Sequence, residues 1–225
     1  MTRRPDTGPG PAPDRGAALD LYRLRAGIYD WQLAPFEALR CLAIDRLALR
    51  RGDAVLDVAC GTGLSLPLIG RAVGRTGRIV GIEQSPEMIE RARERIPAAQ
   101  GADVTLICSP VESARFETRA DAALFHFTHD VLRRPDAVDN VLRHLRPGAV
   151  VVASGLKWAP PGPLWPVNFL VLAAALHSVT LLDGLEAPWS LLEARIGPMR
   201  VEPTYMEGAY VASGVLPGPR RQRSR

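Results

Sequence analysis

The chain has 225 residues, of which 47% are hydrophobic and 23% charged, enough apolar material for one full core and too much for global disorder. Its net charge of +4 comes largely from Arg220, Arg221, Arg223 and Arg225, so the centre of the chain is near neutral and does not point to a basic nucleic-acid groove. Cys41, Cys60 and Cys108 are widely spaced and form no disulfide framework or metal-ligand motif, which points to a reducing, cytoplasmic compartment and no bound metal.

Residues 1–16, rich in Pro and Gly with scattered charge, read as a disordered leader without the apolar centre of a secretory signal. Residues 216–225 read as a basic disordered tail, which leaves a single domain over 17–215. Residues 17–27 and 34–49 predict helices. The second opens at Pro35 and gathers Leu39, Leu42, Ala43, Leu47 and Leu49 on one face. Ala54–Val58 predicts a short strand that ends in a Gly-rich turn, and Leu64–Val73 a helix. A strand follows at Gly77–Ile82, then a helix at Pro86–Arg95 with Ser85 as its N-cap. Asp103–Ile107 and Ala120–Phe125 predict strands, Asp136–Leu145 a helix, Leu145-Arg146-Pro147-Gly148 a connecting turn, and Ala149–Ala153 a fifth strand. Strands separated by helices imply right-handed crossovers and a parallel sheet, and near-continuous apolar strands imply burial on both faces.

After the fifth strand the rhythm changes. Residues 157–196 are rich in Pro, Trp and Leu and read as a cap insertion. Their most apolar run, Phe169–Ala175 continuing to Leu182, is interrupted by His177 and Ser178 and is too short and polar for a membrane span; peripheral membrane contact stays open. Arg200–Thr204 and Ala209–Ala212 then predict an antiparallel pair.

The chemistry begins at Asp57-Val58-Ala59-Cys60-Gly61-Thr62-Gly63. In open α/β sheets ligands bind outside the carboxyl ends of strands, and glycines there let a ligand approach the backbone. A dinucleotide loop needs G-x-G-x-x-G, but Ala59 and Leu64 stand at its first and third glycine positions. The order acid-x-small-x-Gly-x-Gly instead resembles the first motif of class I S-adenosylmethionine (SAM)-dependent methyltransferases, with Ala59 for its usual first glycine. Glu83 lies 20 residues beyond Gly63, where an acid can accept both hydroxyls of an adenosyl ribose. By the resemblance, Gln84 and Met88 border the ribose and adenine. Ser109-Pro110-Val111-Glu112 has Pro110 where the family often has an adenine-binding Asp. The Val111 backbone or the Glu112 carboxylate then takes that contact, or the segment is a plain turn. Phe125-His126-Phe127-Thr128-His129-Asp130 ends the strand that the family sets beside the sulfonium, which makes Phe125 a cofactor neighbour. Leu145-Arg146-Pro147-Gly148 resembles the family's L-x-P-G-G turn. Residues 21–31 resemble the N-terminal lid of the ubiquinone/menaquinone-biosynthesis type. By that resemblance Tyr22 and Tyr29 border the methionyl end of SAM and Arg25 pairs its carboxylate, while their spacing also suits core packing.

The resemblance implies a Rossmann-like, doubly wound, mostly parallel seven-stranded sheet with an antiparallel last strand, an N-terminal helical lid and a helical cap insertion after strand five. It implies SAM as cofactor and S-adenosylhomocysteine as product. His129 and His126 are candidate bases, since imidazole titrates near neutrality, with Asp130 placed to orient His129. Trp158, Trp165, Asn168, His177 and Trp189 of the cap are candidate contacts for a small apolar or aromatic acceptor. The alternative is a SAM-consuming cyclase or lyase that releases methylthioadenosine. A nucleic-acid acceptor is disfavoured, because the fourth strand ends in no N/D-P-P-Y motif.

Overall fold

A computed structural model describes residues 34–175 and 182–218. Its strands are β1 (Ala54–Val58), β2 (Arg78–Glu83), β3 (Asp103–Cys108), β4 (Ala120–His126), β5 (Leu145–Leu156), β6 (Arg200–Thr204) and β7 (Ala209–Val215). They form one sheet in the order β3-β2-β1-β4-β5-β7-β6. All neighbours are parallel except those of β7, which runs antiparallel to both β5 and β6. The expected sheet is therefore present. From β1 the chain winds out to β3 and then crosses back to β4, so the order reverses between β1 and β4, where such folds open a crevice. Val58 stands level with Ile82 and Phe125, which brings the carboxyl ends of three strands to one edge.

The helices are α1 (Glu37–Arg46), α2 (Leu66–Val73), α3 (Pro86–Arg95), α4 (His129–Leu132), α5 (Pro135–Arg143), α6 (Val167–Ala175) and α7 (Ser190–Ile196). On one sheet face Leu39, Ala43, Ile69, Val73 and Ala92 of α1–α3 pack on Val55, Ile79 and Leu124. On the other, Val138, Val141, Leu192 and Ile196 of α5 and α7 pack on Leu56, Ile82 and Phe125. Ser85 caps α3 by accepting from the Met88 amide at 3.3 Å, as its position before Pro86 predicts. Arg46 at the end of α1 makes a two-pronged pair with Glu202 of β6, at 2.6 and 2.7 Å. Arg40, on the inner side of the same helix, is buried.

Two expectations change. Leu145–Gly148 is not a turn before the fifth strand but part of β5. Ala120 pairs with Leu145 and Ala122 with Val150, so Arg146–Ala149 bulge out opposite Asp121. Gly148 (φ 85°) supplies the left-handed backbone the bulge requires, and Arg146 turns back to the Asp121 carboxylate. The expected 157–196 cap also divides, because α7 joins α5 in the helical layer while α6 alone stands over the carboxyl edge, with Val171 and Ala175 packed on Leu156 and Leu185. The leader at 1–16, the helix at 17–27 and residues 219–225 of the tail lie outside the described residues. Among those described, no helix is long and apolar enough to cross a membrane, and no His/Cys/Asp/Glu group is arranged to hold a metal.

Candidate active site

The loop after β1 turns sharply. Ala59 (φ 51°), Gly61 (φ 55°) and Gly63 (φ 77°) all take left-handed backbone. The Cys60 amide donates to Ile82 O at 3.0 Å and the Gly63 amide to Cys60 O at 2.9 Å, which ties the loop to β2. A Cβ on Gly63 would lie 2.8 Å from Leu66 Cδ1 and 3.0 Å from Ala92 Cβ, so only glycine lets α3 pack on the loop. Ala59, by contrast, keeps a side chain in a conformation that disfavours one. Ala59→Gly should therefore stabilise the protein by about 0.5–1 kcal/mol, strain relief outweighing the flexibility glycine adds to the unfolded chain. Thermal unfolding would show a rise of ~1–4 °C, and a fall would show that the turn carries no strain.

Glu83 ends β2 beside this loop. Its Oε2 accepts from the Gly61 amide at 3.2 Å and its Oε1 from the Ser85 amide at 2.9 Å. Burial pushes the Glu83 carboxyl up from its ordinary range, and these amide bonds pull it back.

An open cleft of about 330 Å³ lies over the loop, lined by Arg40, Asp57, Ala59, Cys60, Gly61, Thr62, Leu64, Ser65 and His126. Asp57 and Arg40 are each only 2% exposed. Arg40 pairs with Glu37, yet its Nε has no partner, and neither has Asp57 Oδ2. Burial pushes the Asp57 carboxyl up to about 7, against the pull of the Arg40 guanidinium and with a small push from Glu83. His126 Nδ1 sits 2.8 Å from Ser154 Oγ, and its Nε2 is buried without a partner. Burial, helped by Arg40, holds the His126 pKa down at about 3, so this ring is neutral at any physiological pH.

Phe127 (φ 56°) then turns the chain away from the cleft. A second, small hollow follows, with room for about one water molecule, lined by Phe127, Thr128, His129, Gly155, Leu156, Leu185 and Tyr210. His129 opens α4 and is buried, with Nε2 3.0 Å from the backbone carbonyl of Asp183. A carbonyl only accepts, so in the neutral ring Nε2 carries the hydrogen and Nδ1 the free lone pair. That Nδ1 and Thr128 Oγ1 are both buried without partners. Burial lowers the His129 pKa, and the Asp183 carbonyl partly restores it.

Residues 55–148 match the family model described as a methyltransferase domain. That stretch is similar to a methyltransferase domain, and it holds the Asp57–Gly63 turn and Glu83. An uncharacterised protein of a Streptomyces fradiae transposon is 34% identical over 134 residues, covering 56% of this chain and 38% of its own length. Protein-L-isoaspartate O-methyltransferase of Ignicoccus hospitalis is 33% identical over 109 residues, covering 48% and 50%. The chain thus spans at most about half the length of these curated relatives. Among solved structures, the [4+2]-cyclase SpnF superposes with a TM-score of 0.69 at 16% identity, over 93% of this chain and 98% of its own. The N-methyltransferase NodS from Bradyrhizobium japonicum, in complex with S-adenosyl-L-homocysteine, gives 0.63 at 17%, over 88% and 97%. These likenesses show the fold.

SAM is the cofactor of class I methyltransferases, and the residues of the cleft fit it. A zwitterionic amino-acid end needs one anion and one cation, and the cleft holds Asp57 Oδ2 and Arg40 Nε, both buried and unmatched. Asp57, Ala59, Gly61, Thr62 and His126 come together there, and Gly63 and Glu83 brace the loop. Met88 is buried at the head of α3 and Gln84 stands half-buried beside it. Other expected contacts are engaged elsewhere. Glu112 pairs with Arg134 at 2.9 Å, and the Val111 carbonyl accepts from Asn140 Nδ2 at 2.7 Å. Phe125 is fully buried in the core and lines neither cavity, because consecutive strand residues face opposite sides and His126 takes the cleft side. The His129 ring bonds the Asp183 carbonyl, and the Asp130 charge favours its protonated form.

The cap residues also scatter. Trp158 packs under α6, Trp189 packs on Tyr210 with ring centroids 4.9 Å apart, and Trp165 is 53% exposed. Asn168 bonds both backbone groups of Ala159, at 2.7 and 3.1 Å. Tyr22, Arg25, Tyr29 and His177 lie outside the described residues, and the matched stretch 55–148 does not reach the segment resembling the ubiquinone/menaquinone type. The residue that sequence reasoning missed is Arg40. Its signal was a charge inside the apolar arc Leu39–Ala43–Ile44.

Proposed function

We propose that the protein methylates a hydroxyl of a small, apolar, uncharged acceptor, with His129 as the base. The observation that carries this reading is the pair of buried, unpartnered atoms His129 Nδ1 and Thr128 Oγ1 in a cavity whose other lining residues carry no charge. When bound, SAM supplies an electrophilic methyl group on a sulfonium and leaves as S-adenosylhomocysteine. Arg40 and Asp57 hold its amino-acid end and Glu83 its ribose. Thr128 orients the acceptor hydroxyl, and His129 Nδ1 takes its proton as the oxygen–methyl bond forms. Phe127, Leu156 and Leu185 keep water out. His126 stays neutral and, braced by Ser154, lends one hydrogen bond to the cleft through Nε2. The uncharged, mostly apolar lining of the hollow supports a small molecule over a nucleic acid, although a 23S rRNA methyltransferase of Acinetobacter baylyi is 56% identical over 62 residues, 27% of this chain and 13% of its own. The free cysteines support a cytoplasmic setting.

A screen of phenols and alcohols, with mass detection of one added methyl group, tests the acceptor. Methylthioadenosine as the product, in place of S-adenosylhomocysteine, would replace this reading with the cyclase or lyase. His129→Ala should lower kcat about 10²–10³-fold and leave SAM affinity within about twofold. Wild-type activity should fall only below the ordinary imidazole pKa of about 6.5, since the lowered His129 pKa keeps the ring neutral above it. Undiminished turnover by the alanine variant would remove His129 from the mechanism.

A further inference from the structure

From Trp158 through Leu182 the sequence contains no Asp, Glu, Lys or Arg. Charge-free runs of this length usually lie inside a protein, but part of this one is on the surface. Leu164 is 40% exposed, Trp165 53%, Phe169 63% and Leu170 66%. Trp165 and Phe169 pack edge to face with centroids 5.3 Å apart, so they protrude together. Met206, 63% exposed, stands on the adjoining turn, where Gly208 lies against Val167 and Val171 of α6.

The protrusion is also preorganised. Asn168 clamps Ala159 through both backbone groups, and four prolines stiffen the loop between them. The amides of Trp165, Val167, Asn168 and Phe169 are all satisfied within the loop and first turn, at 3.0–3.2 Å. Lys157 and Glu207, which flank the run and the adjoining turn in sequence, pair with each other at 3.1 Å. Exposed aromatics and satisfied amides, on a run without charged side chains, match the region between lipid headgroups and acyl chains, which penalises unpaired backbone groups and charges alike.

We infer that α6 and its preceding loop form a docking surface for a neutral lipid bilayer, entered by Trp165, Phe169 and Leu170. Nine helical residues reach only about 14 Å, so the helix lies in the interface and does not span it. Charge complementarity separates this occupant from anionic lipid. The chain leaves the described residues at Gly218, beside Pro147, at the opposite end of β5 from Leu156. The inner side of α6 covers Leu156 and Leu185, which line the second cavity, so docking would set that cavity one helix away from lipid. That consequence rests on the acceptor reading above, and the docking itself does not.

The test is co-sedimentation of the full chain with phosphatidylcholine vesicles at about 0.1 M and about 1 M salt. Binding should occur at both. The double variant Phe169→Glu, Leu170→Glu should weaken it at least about tenfold. Its circular dichroism and its SAM affinity should match the wild type, which keeps a failure here distinct from a failure of the cofactor reading. If that variant does not fold, Trp165→Ser carries the same expectation. No binding to phosphatidylcholine would overturn the inference. Binding only to phosphatidylserine at low salt would assign it to the arginines, and a dimer in solution that Leu170→Glu dissolves would assign the surface to a second copy.

Discussion

Asp57→Asn should raise the melting temperature of the ligand-free protein by about 6–10 °C at pH 8 while weakening SAM binding about a hundredfold or more. The Asp57 carboxyl moves from 3.8 in the unfolded chain to about 7 in the folded one, chiefly through burial. Between those values the folded state holds a proton that the unfolded state has lost. The group therefore favours folding fully below pH 4, and this advantage disappears as pH rises through 7. Above that, an ionised buried carboxylate opposes folding by on the order of 3 kcal/mol, and asparagine removes the charge without changing the shape. The difference between variant and wild type should accordingly close as pH approaches 4. By the function proposed above, the same carboxylate meets the ammonium group of SAM. Wild-type affinity should weaken up to about tenfold for each pH unit below 7, and the variant should lose that dependence. Calorimetry and thermal unfolding across this range check both halves. A variant melting below wild type at pH 8 would show that Arg40 more than compensates the burial of the charge.

Arg40→Met should weaken SAM binding by about 30–1,000-fold, the usual consequence of truncating one member of a buried charge pair. Methionine keeps the apolar stem that packs among Leu39, Ala43 and Ile44, so the loss should be of binding rather than of the helix. The deciding comparison is decarboxylated SAM. Its affinity should be low for the wild type and little changed by the substitution, because the guanidinium then has no carboxylate to meet. Equal losses for both cofactors would show that Arg40 shapes the cleft and does not bind the carboxylate.

The parts of the site that sequence made legible are local. The Asp57–Gly63 turn and Glu83 each follow from a strand that ends where its neighbours end, and Ser85-Pro86 announces the helix that packs on them. What was not legible depends on pairing across distance. Whether Phe125 or His126 faces the cleft turns on a single residue of register, because adjacent strand positions point to opposite faces. His129 is held by a carbonyl 54 residues away, while the neighbouring Asp130 looked the nearer partner in the sequence. Trp165 and Trp189 carry the same composition signal, yet one is on the surface and the other against Tyr210. The bulge at Arg146–Ala149 had no signal beyond Pro147-Gly148, which suits a turn equally well.

The pair between Arg46 and Glu202 joins positions 156 residues apart, and it fastens the helix that carries Arg40 to β6. That strand is held in the sheet only through β7, which comes last in the described chain and lies between β6 and β5. During synthesis, then, the helix bearing Arg40 can pack on β1, β4 and β5 once they form, but its ion pair to β6 waits until the chain has been made to Val215. A nascent chain stopped at Leu156 holds every residue of the glycine turn and still lacks that anchor.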